Sequence, residues 1–223
     1  MKITSTKVRG VCAVILIIAV VLTAVLFQAN PVNPIRVACI GNSITAISDY
    51  PVDLQAMLGR NYTVGNFGVV GATLLSTAYK PYIYETALQR AKLFQPNIVV
   101  IMLGTNDAHI GNYPLMNSFV ADYENLSSEF KVLLSKPEIF LVKPPPIFTN
   151  EFGLTNSLLF EEVIPRIEQV AKDLGLLTID VYNPFVNHPE YFKDGVHPTS
   201  EGASIIASEI YREIIQTNET PID

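Results

Sequence analysis

At 223 residues the chain is long enough for one sizeable α/β domain and short for two. A hydrophobic content of 49% against 16% charged residues suits a packed globule and excludes an intrinsically disordered chain. Lys2, Lys7 and Arg9 are the only charges in the first 30 residues, so the remainder sets 12 basic against 21 acidic residues, a net charge of −9. Without basic clusters, that balance argues against nucleic acid and against peripheral binding to anionic lipid.

The three basic residues precede the apolar run Val11–Phe27, and no charge follows until Arg36. This is the layout of a secretory signal or an uncleaved signal anchor. Phe27-Gln28-Ala29 lacks the small residue a cleavage site needs at its first position, so residues 1–30 are read as an anchor, or transmembrane helix. Positive charge on the N-terminal flank keeps that end in the cytoplasm and the domain outside; cleavage would instead release a secreted protein. Residues 31–34 form a proline-bearing linker, 35–217 the domain, and 218–223 a polar tail. Cys12 and Cys39 are too differently placed to pair, and Cys39 reads as a small core residue.

Within the domain, apolar runs that read as buried strands alternate with helical patterns. The expected strands are Ile35–Ile40, Tyr62–Phe67, Ile98–Leu103, Glu138–Val142 and Leu177–Asp180. Expected helices cover Val52–Leu58, Tyr84–Phe94, Phe119–Leu134, Leu158–Leu174 and Ser200–Gln216, the last with Ile205, Ile206, Ile210 and Ile214 at helical spacing. Such alternation predicts a flavodoxin-like three-layer α/β/α sandwich around a five-stranded parallel sheet. In that architecture the site lies at the carboxyl ends of the strands.

The unusual residues fall in those loops. Gly41-Asn42-Ser43 follows the first strand directly; alone, Ser43 reads as a helix N-cap, and as a nucleophile it needs a base. Asp194-Gly-Val-His197 precedes the last helix, where the carboxylate is close enough to orient the imidazole, although a purely structural Asp–His contact has the same spacing. Asn66-Phe-Gly-Val-Val-Gly-Ala-Thr73 follows the second strand and offers backbone N–H groups around Gly71, or simply a glycine turn. Gly104-Thr-Asn-Asp107 ends the third strand, with Asn106 as a side-chain amide donor or an Asx turn.

These four blocks, in order and on successive strand ends, resemble the SGNH hydrolase (GDSL-like lipase/esterase) family from Arg36 to about Tyr211. The resemblance implies Ser43 as nucleophile and Asp194 and His197 as its activating pair. It implies an oxyanion hole made by the Ser43 N–H, the Gly71 N–H and the Asn106 side chain. One departure is that Asn42 stands where the family usually has aspartate, which alters local electrostatics without removing the base or its orienter. Gly-x-Ser-x-Gly is absent around Ser43, so the α/β-hydrolase elbow is the wrong comparison. Only His197 has an aspartate at the expected offset; His109 could line the pocket, though it and His188 read first as solvent-facing loop residues.

No metal-binding pattern, dinucleotide fingerprint or Walker loop appears, so neither a metal nor a cofactor is expected. The expected activity is hydrolysis of carboxylic esters. Tyr50-Pro-Val-Asp-Leu-Gln55, Asn66–Thr73 and Lys143-Pro-Pro-Pro146 resemble carbohydrate and sialate O-acetylesterase-like members, which implies an O-acetyl glycan or other small ester as substrate. A membrane-tethered lipase, a lysophospholipase, a thioesterase and a non-catalytic glycan-binding module stay open as alternatives.

Overall fold

The computed structural model describes residues 33–219. The reading of residues 1–30 as a membrane anchor lies outside that range; among the described residues no helix is long and apolar enough to cross a membrane. Five strands, β1 (Ile35–Gly41), β2 (Tyr62–Gly68), β3 (Ile98–Met102), β4 (Glu138–Lys143) and β5 (Leu177–Asp180), form one sheet in the order β2-β1-β3-β4-β5. Every neighbouring pair is parallel. The order is that of flavodoxin, with the chain reversing direction across the sheet between β1 and β3.

Strand alternation divides the core in two. Val37 and Cys39 on β1, with Val100 and Met102 on β3, face one layer, while Ala38, Ile40, Val99 and Ile101 face the other. The first layer is built by helices α1 (Ser43–Ile47), α2 (Tyr50–Leu58) and α6 (Ser200–Glu219). The second is built by α3 (Thr86–Leu93), α4 (Phe119–Lys131) and α5 (Ile164–Leu174). The buried stretches of the central strands, residues 37–40, 98–102 and 139–142, are apolar because both of their faces are covered, whereas the edge strand β5 leaves Leu177 and Thr178 exposed.

One expected helix is built differently, and one short helix appears beyond those expected. The stretch expected as one helix over Leu158–Leu174 opens with a single turn at Asn156–Leu158 and a π-helical stretch at Leu159–Val163 before α5. Pro165 in the first turn of α5 explains the interruption, since it has no N–H to give a regular i→i−4 bond. After β1 the chain makes α1, a helix too short to register as a hydrophobic period.

Helix α6 lies against α2, and Ile206, Ile210 and Ile214 are fully buried between α6 and the sheet. Ile206→Ala therefore removes packed methyl groups from a site walled by strand side chains, a change that costs about 2–5 kcal/mol. A urea melt should show the midpoint falling with little change in slope; a loss below about 1 kcal/mol would mean that this face of the sheet is not close-packed.

Candidate active site

The carboxyl ends of β1 and β3 open into a cleft of about 360 Å³ lined by Ser43, Gly71, Asn106 and His197, among others. Ser43 is the first residue of α1, not its cap: Asn42 is the N-cap, and its Oδ1 accepts from the Ile44 N–H at 2.9 Å. As the first helical residue, Ser43 has an N–H that no turn of its own helix can satisfy. The serine side chain is nearly buried, and its Oγ lies 2.9 Å from His197 Nε2.

His197 is held from its other side. Its Nδ1 lies 2.8 Å from Asp194 Oδ2. Asp194 Oδ1 accepts from the Val196 and His197 backbone N–H groups at 3.1 and 2.8 Å. Burial on its own would raise the Asp194 carboxyl; the His197 N–H, the His197 ring and the Val196 N–H outweigh it and hold the group below its ordinary value. With Asp194 ionised and accepting at Nδ1–H, the neutral ring turns its unprotonated Nε2 toward the serine. Gly195 makes the turn possible: its φ is +81°, and any Cβ there would strike the Thr149 carbonyl. Phe152 closes over the imidazole edge-on, with ring centroids 5.6 Å apart.

The second and third loops are stapled together. Asn106 Nδ2 donates to the Ala72 carbonyl at 2.8 Å, which leaves its second amide hydrogen. Asp107 is fully buried, and its two oxygens accept from the Leu74 and Leu75 N–H groups at 3.0 and 2.8 Å. Asp122 adds a bond from the Ser76 N–H at 2.9 Å. Asn66 ties the same loop to the serine helix, donating from Nδ2 to the Thr45 carbonyl at 2.8 Å. Gly71, exposed at a φ of +78°, therefore sits on a loop anchored at both ends beside Ser43.

The remaining histidines separate. His188 is exposed and pairs with Glu190 at 2.8 Å. His109, expected to face solvent, instead lines the cleft and caps the next turn by accepting from the Gly111 N–H at 3.0 Å. Cys39 is buried in the sheet, where desolvation pushes its thiol up to about 12, and it has no nucleophilic role. Among the described residues no group of three His, Cys, Asp or Glu side chains is placed to hold a metal ion.

The family model of the GDSL-like lipases/acylhydrolases matches residues 39–205. An acetylxylan esterase of Xylanibacter ruminicola is 35% identical over 204 residues, which cover 80% of this chain and 42% of that protein. This chain thus spans less than half the length of that relative. Among solved structures, Est24, a carbohydrate acetylesterase from Sinorhizobium meliloti, superposes with a TM-score of 0.65 at 17% identity, covering 82% of this chain and 99% of that one. A lipase/acylhydrolase from Enterococcus faecalis gives 0.64 at 24% identity, over 82% and 96% of the two chains. These two structures share the fold.

Asp107 supplies a test of the stapled loop. Burial pushes its carboxyl from 3.8 up to about 6, against the pull of the Leu75 and Leu74 N–H donors, and the nearby Asp122 adds to the rise. The folded chain binds this proton more tightly than the unfolded one, so the group's contribution is full below 3.8 and is lost as pH rises through about 6. Asp107→Asn, which does not ionise, should remove that slope. In urea melts between about pH 4 and pH 6 the parent should lose stability relative to the variant as pH rises; parallel curves would show that Asp107 takes up no such proton.

Proposed function

The chain belongs to the GDSL-like lipase/acylhydrolase family, and on that premise we propose that it is a serine esterase, acting on O-acetyl groups of carbohydrate through an acyl-enzyme. The observation that carries this reading is the hydrogen-bond chain from Ser43 Oγ through the His197 ring to Asp194, at 2.9 and 2.8 Å.

In this mechanism His197 Nε2 takes the Ser43 proton as Oγ attacks the ester carbonyl carbon. Asp194 holds the ring's orientation and stabilises the imidazolium that forms. The carbonyl oxygen, now an oxyanion, is received by the Ser43 N–H, the Gly71 N–H and the free Asn106 amide hydrogen. Collapse of the intermediate breaks the bond to the alcohol oxygen, which leaves with the proton from His197. Water then attacks the acyl-serine with His197 again as base, releasing the acid and restoring the serine.

Two observations favour an acetyl ester of a carbohydrate. The relative at 35% identity is named an acetylxylan esterase, and the cleft at Ser43 is small and mixed, with Val70, Leu154 and Val196 beside Asn106, His109 and Asn112. The acidic balance of the body remains unsuited to nucleic acid. We take the basic-then-apolar N-terminus as an anchor that presents the domain outside the membrane.

Purified protein should hydrolyse p-nitrophenyl acetate faster than the butyrate and octanoate esters, and Ser43→Ala should abolish all three activities. Asn106→Ala should lower kcat by about 10²–10³-fold, the usual cost of one oxyanion donor. Equal turnover by parent and Ser43→Ala would remove the serine from the mechanism. A rise in rate with acyl length would replace the deacetylase reading with a lipase.

A further inference from the structure

One wall of the Ser43 cleft takes no part in the reaction just described. His109 and Asn112 both line it, and they are brought side by side by a tight turn in which the Asn112 N–H donates to the His109 carbonyl at 2.8 Å. Each side chain is anchored by one of its polar atoms and keeps the other. His109 Nδ1 accepts from the Gly111 N–H at 3.0 Å, so the neutral ring carries its proton on Nε2. Asn112 Nδ2 donates to the Asn106 carbonyl at 3.1 Å, which sets the amide orientation and leaves Oδ1 over. Neither His109 Nε2 nor Asn112 Oδ1 has a hydrogen-bond partner among the described residues.

The wall is also held rigidly. His109 pairs with Leu154 in an isolated antiparallel bridge, and the Thr155 N–H donates to the Ala108 carbonyl at 3.0 Å. The imidazole packs on Gly153, whose φ is +71°; a Cβ there would lie 2.8 Å from His109 Nε2. A donor and an acceptor on residues joined by one turn thus line the same cleft as the serine but lie outside its hydrogen-bond chain.

We propose that His109 and Asn112 read a free hydroxyl on the alcohol part of the ester, with Nε2–H donating to the hydroxyl oxygen and Oδ1 accepting its hydrogen. This rests on the serine-esterase reading above and gives its substrate preference a source. A hydroxyl both donates and accepts, so it satisfies the two atoms together. An alkyl or aryl alcohol leaves both unpaired on binding, and a carboxylate has no hydrogen for Oδ1. Sites built to hydrogen-bond a substrate hydroxyl discriminate strongly against analogues that lack it. The pair acts on specificity and leaves the bond-making steps to Ser43 and His197.

The test compares a monoacetylated methyl xyloside with cyclohexyl acetate, two esters with the same acyl group and similar ring size that differ in hydroxyls. His109→Asn keeps an acceptor for the Gly111 N–H, because an asparagine oxygen caps the residue two positions on, and deletes the Nε2 donor. The parent should favour the xyloside, and His109→Asn should lower the ratio of the two kcat/KM values about tenfold, the worth of one well-made hydrogen bond to a neutral group. Asn112→Ala should lower the same ratio, with thermal melts showing both variants folded. A ratio that stays within about twofold of the parent in both folded variants would overturn the proposal. So would a parent that hydrolyses p-nitrophenyl acetate through Ser43 yet shows no preference for the xyloside. Absence of any Ser43-dependent hydrolysis would overturn the esterase reading itself, and this pair with it.

Discussion

A serine hydroxyl is a poor nucleophile without a base, and in the proposed mechanism that base comes from the far end of the chain. Ser43 and His197 are 154 residues apart in sequence, yet their side chains meet at 2.9 Å. Everything between them serves that distance. Strand β1 ends beside β3 in the middle of the sheet, which sets Ser43 at the first turn of α1. Helix α6 packs on α2 over the same face of the sheet, which fixes the turn that precedes it and carries His197. Apolar burial supplies the energy, at roughly 1.5–3 kcal/mol for each fully buried large side chain. Polar contacts supply the register.

Those polar contacts are concentrated at the strand ends. Asn106, Asp107 and Asp122 each hold a backbone group of the loop after β2, and Asn66 holds the Thr45 carbonyl of α1. A loop at a sheet edge has few ladder partners, so its carbonyl and N–H groups need side-chain partners or water. Buried Asp107 is the extreme case, a carboxylate taken out of water to receive two adjacent N–H groups. Desolvating it is costly. In return, those bonds hold a second loop whose Gly71 lines the same cleft as the serine.

Much of this could be read from the residues. Both-face burial gives β1, β3 and β4 continuous apolar stretches, and the alternation with helices leaves few parallel arrangements to choose from. Ser43, Asp194 and His197 stand out because serine, aspartate and histidine at strand-end loops are conspicuous in a chain with three histidines. The remainder depends on contacts that no local pattern encodes. The π-helical stretch at Leu159–Val163 looks like ordinary helix by periodicity, and only Pro165 hints at the break. His109 lacks the aspartate three residues upstream that marks His197, and its place in the cleft goes with a bridge to Leu154, 45 residues later in a proline- and glycine-flanked loop. Asp107 looks like the tail of a turn, because nothing in the sequence says that Leu74 and Leu75 will present their N–H groups to it.

Asn42 shows how a local substitution can keep one role and change another. Its Oδ1 caps the serine helix, as a carboxylate oxygen would, so the geometry at Ser43 survives the exchange. Its Nδ2 is buried without a hydrogen-bond partner among the described residues, an arrangement that costs about 1–3 kcal/mol. Against that cost stands an electrostatic gain. Asn42 adjoins the Ser43 N–H, one of the groups assigned to receive the developing oxyanion, and a buried carboxylate at that position would set negative charge against negative charge in a medium that screens it weakly. A neutral amide keeps the cap and removes the repulsion. In the proposed mechanism, the stability given up at the orphaned Nδ2 is set against a field around the serine that favours the oxyanion.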